Sequence, residues 1–232
     1  EEERATLIKD VLWLEQNIRF HLSNNEEQVQ QLAVDMGSQP DQQKLFSLRA
    51  AHLLKNNPEI SQLLWFDTRM KVLDALPTTA TPEHEIEPLG PPVTANAFER
   101  VTRLGKQAYS EPFFLEGNRG FIELLVPIYS KHVLSGMLVV VYPLDALLNN
   151  QVPWWFTEKY KVVIIDDNDV LYAAKTNIED SGNQSYEIPL DPPGYGLKLK
   201  ITANRATDNS LQRILTIAII AFAPGAFWQN DL

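Results

Sequence analysis

The chain has 232 residues, with 30 acidic and 20 basic side chains, a net charge of −10 and no cysteine. That length admits one large domain or two small ones, and a hydrophobic content of 44% with 22% charged residues excludes wholesale disorder. The acid excess argues against nucleic acid as a partner, because a phosphate-tracking surface needs clustered Lys and Arg. The lack of cysteine removes thiolate metal sites, iron–sulfur clusters, thiol nucleophiles and disulfides together.

The chain opens at Glu1-Glu2-Glu3 with neither Met nor a signal-peptide pattern, which reads as a piece of a longer protein. Residues 4–36 read as one long helix. Leu7, Val11, Leu14 and Ile18 follow one another at steps of four, three and four, a heptad seam. The seam shifts register at Leu22, takes in Asn25, and resumes through Val29, Leu32 and Met36. Gly37 and Pro40 end it. A helix packed along its own domain would explain the stripe. The length, about 50 Å at 1.5 Å per residue, points instead to a partly exposed stalk rising from a membrane.

After a second helix near residues 42–55, ISQLLWFDTRMKVLDAL over Ile60–Leu76 predicts a strand, a turn opened by Asp67 and a returning strand. The pattern recurs ninety-nine residues later, where Val162-Val163-Ile164-Ile165 leads into Asp166 and Val170-Leu171-Tyr172 follows. This spacing suggests two copies of one α/β module. Between them the Pro-rich stretch Pro77–Val93 predicts a surface loop, and Ala95–Tyr109 a helix. Two long strands, Gly120–Tyr129 and Val133–Tyr142, are joined by Ser130-Lys131-His132. On the first, Ile122, Leu124, Val126 and Ile128 share one face, while Phe121, Glu123, Leu125 and Tyr129 share the other. Trp154-Trp155-Phe156 reads as a plug between the modules. Leu197–Thr202 alternates cleanly, as a half-exposed strand does.

Near the C-terminus, Ile214–Trp228 runs fifteen residues without a charge, too short alone for a full span. Only Thr216 interrupts it, and Pro224-Gly225 is better tolerated in a membrane than in a soluble helix, so the run reads as membrane-entering. No lysine or arginine cluster follows to set its orientation.

Catalytic signatures are missing. There is no nucleophile elbow, phosphate-binding glycine loop or HExxH, and His21, His52, His84 and His132 fall on four different elements. The turn Asp166–Asp169 lacks the glycine and distant glutamate of an EF-hand loop. Gly117-Asn118-Arg119-Gly120 reads either as an anion-holding turn or simply as the start of a strand. The fragment is therefore expected to be no enzyme, with no cofactor and no metal.

The order of elements, with Tyr109-Ser110-Glu111-Pro112-Phe113, Val126-Pro127-Ile128-Tyr129 and Gly136-Met137-Leu138-Val139-Val140 leading to Leu144-Asp145-Ala146-Leu147-Leu148, resembles the double-Cache family. These are PAS-like extracytoplasmic sensor domains of bacterial receptors, and the arrangement looks most like C4-dicarboxylate-type sensor histidine kinases. The resemblance implies an α+β fold with antiparallel central sheets. It divides the chain into a stalk helix (1–40), a membrane-distal module (41–150), a smaller membrane-proximal module (151–206) and a C-terminal helix entering the membrane (207–232). It also implies a homodimer in the bacterial inner membrane, with this part periplasmic and a kinase, or else a diguanylate cyclase or chemoreceptor output, elsewhere in the protein. By position it assigns a small organic ligand, a carboxylate by preference, to Arg103, Lys106, Tyr109, Ser110, Arg119, Glu123, Tyr129 and Tyr142. Cations would fork onto the carboxylate and hydroxyls would complete its hydrogen bonds. The amino-acid signature of the amine-recognising subgroup, a Tyr followed by an Arg-aromatic pair and then an Asp, is not found. The rival expectation is an adaptor that binds a protein through the long helix and senses no small molecule.

Overall fold

The structure, a computed structural model, describes residues 2–77, 92–115, 117–176 and 181–204. Helix α1 runs from Glu2 to Ser38. Its seam is buried throughout, with Val11, Leu14, Ile18, Leu22, Val29 and Met36 all at 0% exposure. The seam faces the chain's own sheets, so the stripe itself is an intramolecular core. The length has the same cause, since 37 residues span about 55 Å and both sheets lie along them.

Helix α2 (Gln42–Asn56) begins where the Asp41 carboxylate accepts the Lys44 N–H at 3.4 Å. It ends where Asn57 donates both its backbone N–H and its side-chain amide to the Leu53 carbonyl. Strands β1 (Gln62–Phe66) and β2 (Val72–Leu76) form the first hairpin. Asp67 Oδ1 accepts the N–H groups of Arg69 and Lys71, and Met70 takes a positive φ of 62°. The second hairpin, β7 (Tyr160–Ile165) and β8 (Leu171–Lys175), repeats the device. There Asp166 Oδ1 accepts from Asn168 and Val170, and Asp169 has φ 59°. Each hairpin also carries a register shift at the last pair before its turn. The recurrence seen in the sequence is therefore one turn architecture used twice, with the aspartate holding the backbone.

The first sheet has six antiparallel strands in the order β2-β1-β6-β5-β3, with β4 also on β5. Here β3 is Ala108–Tyr109, β4 Phe113–Leu115, β5 Arg119–Ser130 and β6 Val133–Pro143. Helix α3 (Pro92–Leu104) is shorter than the sequence suggests. Gly105, with φ 68°, donates to the Val101 carbonyl and stops it, freeing Ala108 and Tyr109 to pair with Leu125 and Leu124. Most of the Pro-rich loop expected over Pro77–Val93 lies outside the described residues.

After α4 (Leu144–Gln151) and α5 (Trp154–Lys159) comes the second sheet, antiparallel in the order β8-β7-β10-β9. Strand β10 (Lys198–Asn204) is central, and β9 (Ser181–Pro189) is an edge strand that sequence reading missed. Of the aromatic triplet, Trp155 and Phe156 pack against Trp13 of α1 at 5.3 and 6.4 Å, whereas Trp154 is exposed. The plug is thus two residues rather than three.

One core follows α1 along one face of both sheets. A second fills the opposite face of the six-stranded sheet, where Phe98 and Val101 of α3 meet Phe121, Leu125, Val139 and Val141. The six-stranded sheet is therefore covered on both faces. The second sheet docks against its edge, with Phe114 and Tyr172 stacked at 4.6 Å and the Tyr195 hydroxyl donating to the Tyr109 carbonyl at 2.8 Å. The expected membrane-entering helix at 207–232, and the apolar run Ile214–Trp228 within it, lie outside the described residues. Among the described residues no helix is long and apolar enough to cross a membrane.

Candidate functional site

The eight residues singled out from sequence fall into three places. Strand parity separates the first two. Tyr142 pairs with Ile122 and Tyr109 with Leu124, so both tyrosines join the α1-facing core. Glu123 alternates with these residues and points to the α3 side, between Phe121 and Leu125.

On the α3 side Glu123 is buried, at 1% exposure. Thr94, in the first turn of α3, donates its hydroxyl to Glu123 Oε2 at 2.7 Å. Ser110 donates its backbone N–H to the Glu123 carbonyl at 2.8 Å, and its Oγ accepts the Glu123 N–H at 2.9 Å. Burial pushes the Glu123 carboxyl up to about 7, opposed only by the Thr94 hydrogen bond. Near neutral pH this group therefore exists in both forms, and its neutral form can donate a hydrogen bond.

The α1 side holds a polar belt where the seam changes register. Asn25, fully buried, donates to Glu59 Oε1 at 2.8 Å, and Tyr142 lies against it. Glu26 accepts from Gln30 and Gln107 and lies beside Tyr109. Burial drives both tyrosine hydroxyls well above their ordinary pKa, so they act as neutral hydrogen-bonding groups.

The rest lie at the periphery. Arg103 and Lys106 are exposed at and just beyond the end of α3. Arg119 is exposed and forks onto Asp145 through Nε (3.1 Å) and Nη2 (3.0 Å). Its fork is thus already engaged by a carboxylate of the same chain. Tyr129 is part of a groove of about 890 Å³ between the end of α1 and the β5–β6 turn. The Gly120–Tyr142 hairpin does have open space beside it, at its tip.

Sequence reading missed Thr94, Arg100 and Asp145. Arg100 donates to the Tyr109 carbonyl at 3.3 Å, its guanidinium carbon lies 5.3 Å from the Tyr195 ring centroid, and its Nε is buried with no partner among the described residues. Only the position of Thr94 three residues before the inward-facing Ala97 hinted at an inward hydroxyl. The other two depend on partners distant in sequence.

No protein-family model matches the chain. It is 29% identical over 220 residues to the C4-dicarboxylate transport sensor protein DctS of Rhodobacter capsulatus. The match takes in 95% of this chain and 31% of DctS, so the chain spans about a third of that relative. Among solved structures it superposes on the ligand-binding domain of the Pseudomonas aeruginosa amino acid chemoreceptor PctB, in complex with L-Arg, with a TM-score of 0.61 at 12% identity. That alignment takes in 94% of each chain. The extracellular domain of the putative histidine kinase mmHK1S-Z2 aligns with a TM-score of 0.52 at 12% identity, over 87% of this chain and 96% of that one. At such identities the structural likenesses establish the fold alone, the long helix and antiparallel sheets described above, which this chain shares with extracellular ligand-binding domains.

Proposed function

We propose that the chain is the periplasmic, ligand-sensing part of a receptor in the bacterial inner membrane, a two-component sensor histidine kinase. In this reading a small organic carboxylate binds in the distal module, residues 41–150, on the α3 side of its sheet. Support comes from the likeness to a C4-dicarboxylate sensor and above all from Glu123. A carboxyl group is held there in an apolar core with a hydroxyl and, among the described residues, no cation as its hydrogen-bond partners. In its neutral form it donates to a ligand carboxylate, beside the hydroxyls of Thr94 and Ser110. Arg103, Lys106 and Arg119 then contribute positive potential from the rim, and Tyr109, Tyr129 and Tyr142 shape the module around the site.

Binding would shift the population between two arrangements of α3 and the sheet. Tyr195 and Tyr172, which rest on Tyr109 and Phe114, pass that shift to the proximal module, residues 151–206. From there the segment at 207–232, as a membrane-entering helix in a homodimer, carries it to the output domain. The fragment itself does no chemistry.

Thermal-shift titration with succinate, fumarate and malate at pH 6 and pH 8, beside a panel of amino acids, tests this reading. A ligand at a hundred times its Kd stabilises the fold by about 2.7 kcal/mol. The acids are expected to raise Tm more at pH 6, where Glu123 is neutral, than at pH 8. Stabilisation by none of the acids at either pH would refute it. The adaptor reading draws on a different observation, the exposed Leu12, Phe20 and Val34 on the outer side of α1. It predicts tight binding of a periplasmic protein with no small-molecule shift.

A further inference from the structure

A groove of about 690 Å³ lies on the α1 side of the molecule, where α1, the loop after α2 and the α4–α5 connection converge. The volume falls within the range of about 300–1,000 Å³ usual for small-ligand sites. One wall is a stripe of α1. Asn17, His21, Asn24 and Gln28 follow one another at steps of four, three and four, so they share one helix face. The other wall brings Asn57 and Glu59 from the α2–β1 loop together with Asn150 and Gln151 from the end of α4.

Three features of this lining agree in sign. Glu59 is 1% exposed, and among the described residues no Lys or Arg lines the groove. The only hydrogen bond to its carboxylate among the described residues comes from the amide of Asn25, at 2.8 Å. The carboxamides on both walls present carbonyl acceptors as well as N–H donors. At one end stands Trp13, held by Trp155 and Phe156 and still 43% exposed, with a ring face of the kind that attracts cations. A buried carboxylate without a cation is costly. A ligand that supplies both the charge and the N–H donors removes that cost.

The geometry points to a second binding site here, for a small organic ammonium compound, with Glu59 as counter-ion, the Asn and Gln carbonyls as further acceptors and Trp13 as an aromatic flank. The site lies on the opposite side of the six-stranded sheet from Glu123. Its charge is opposite to what the carboxylate reading requires, so the two sites would take different molecules. Because its walls come from α1, from the loop leading into the first sheet and from the connection to the second, an occupant would tie all three together. It would thereby act on the same inter-module junction that a distal ligand acts on.

The test is a titration of the chain with 1,4-diaminobutane at about 0.15 M salt, which suppresses diffuse attraction to an acidic protein. Side-chain amide NMR signals and tryptophan fluorescence provide the readouts, with 1,4-butanediol and succinate as controls. Saturable binding of the diamine is expected, with shifts of the Asn24 and Gln28 amides that neither control produces at those two side chains. Glu59→Gln should weaken it about tenfold or more, as loss of a charged hydrogen-bond partner does. Asn24→Lys, at an exposed helix position that leaves folding intact, should abolish it by placing a cation in the groove. The inference is overturned by no saturable binding, by a diol response equal to the diamine's, or by undiminished binding to the Asn24→Lys protein. None of these outcomes bears on carboxylate binding at Glu123, which the succinate arm reads separately.

Discussion

Glu123 allows a quantitative prediction from its burial alone. Its carboxyl titrates near 7 in the folded chain and near the ordinary glutamate value of about 4.3–4.5 when unfolded. Between these values the folded state binds more protons than the unfolded state, so stability falls as pH rises through this window and levels off above about 7. Integrating the two titrations from pH 5 to pH 8 gives a loss of about 2.5 kcal/mol attributable to this one group. Glu123→Gln keeps the shape and an oxygen acceptor for the Thr94 hydroxyl but cannot ionise. Urea unfolding of both proteins at pH 5 and pH 8 isolates the effect, because exposed groups such as Asp67 and Asp166 contribute equally to each and cancel. Expected is a variant more stable by about 1 kcal/mol at pH 5 and by about 3–4 kcal/mol at pH 8. A difference between variant and wild type that does not change with pH would refute the claim that Glu123 is charged at a desolvation cost.

Other perturbations test the packing. Ile18→Ala should cost about 2–5 kcal/mol, because the side chain is fully buried between α1 and the sheets. Phe20→Ala, two residues on and 68% exposed, should change the stability of the isolated chain by no more than about 0.5 kcal/mol; denaturation curves compare the two. Gly37→Ala places a methyl against the Tyr129 carbonyl, so α1 must lift from β5, and a loss of about 1–3 kcal/mol is expected on thermal melting. Tyr195→Phe removes the hydrogen bond to the Tyr109 carbonyl while keeping the ring beside Arg100. It should cost about 1 kcal/mol and speed amide exchange at Ala108 and Tyr109 before other parts of the first sheet.

The sequence by itself determined the elements whose signals are local. The α1 seam is a repeat of apolar residues at steps of three and four. The two Asp-led hairpins are visible because each turn is built from its own five residues. The alternation on β5 already put Glu123 on a different face from Ile122 and Leu124. The short strands β3 and β4 and the edge strand β9 were not legible. The two residues of β3 and the three of β4 carry no periodicity, and β9 pairs along one side only, so its polar sequence needs no apolar run.

Tertiary structure decided what faces what. The α1 stripe meets the chain's own two sheets, a matter of surface complementarity that no heptad count contains. Tyr109 and Tyr142 sit opposite Glu123 because pairing register, set between strands far apart in sequence, places Tyr142 against Ile122 and Tyr109 against Leu124. The same long-range pairing brings Thr94 to Glu123 across 29 positions and Asn25 to Glu59 across 34. A buried carboxylate differs from a solvated one only by its neighbours, and those neighbours are assembled by the fold.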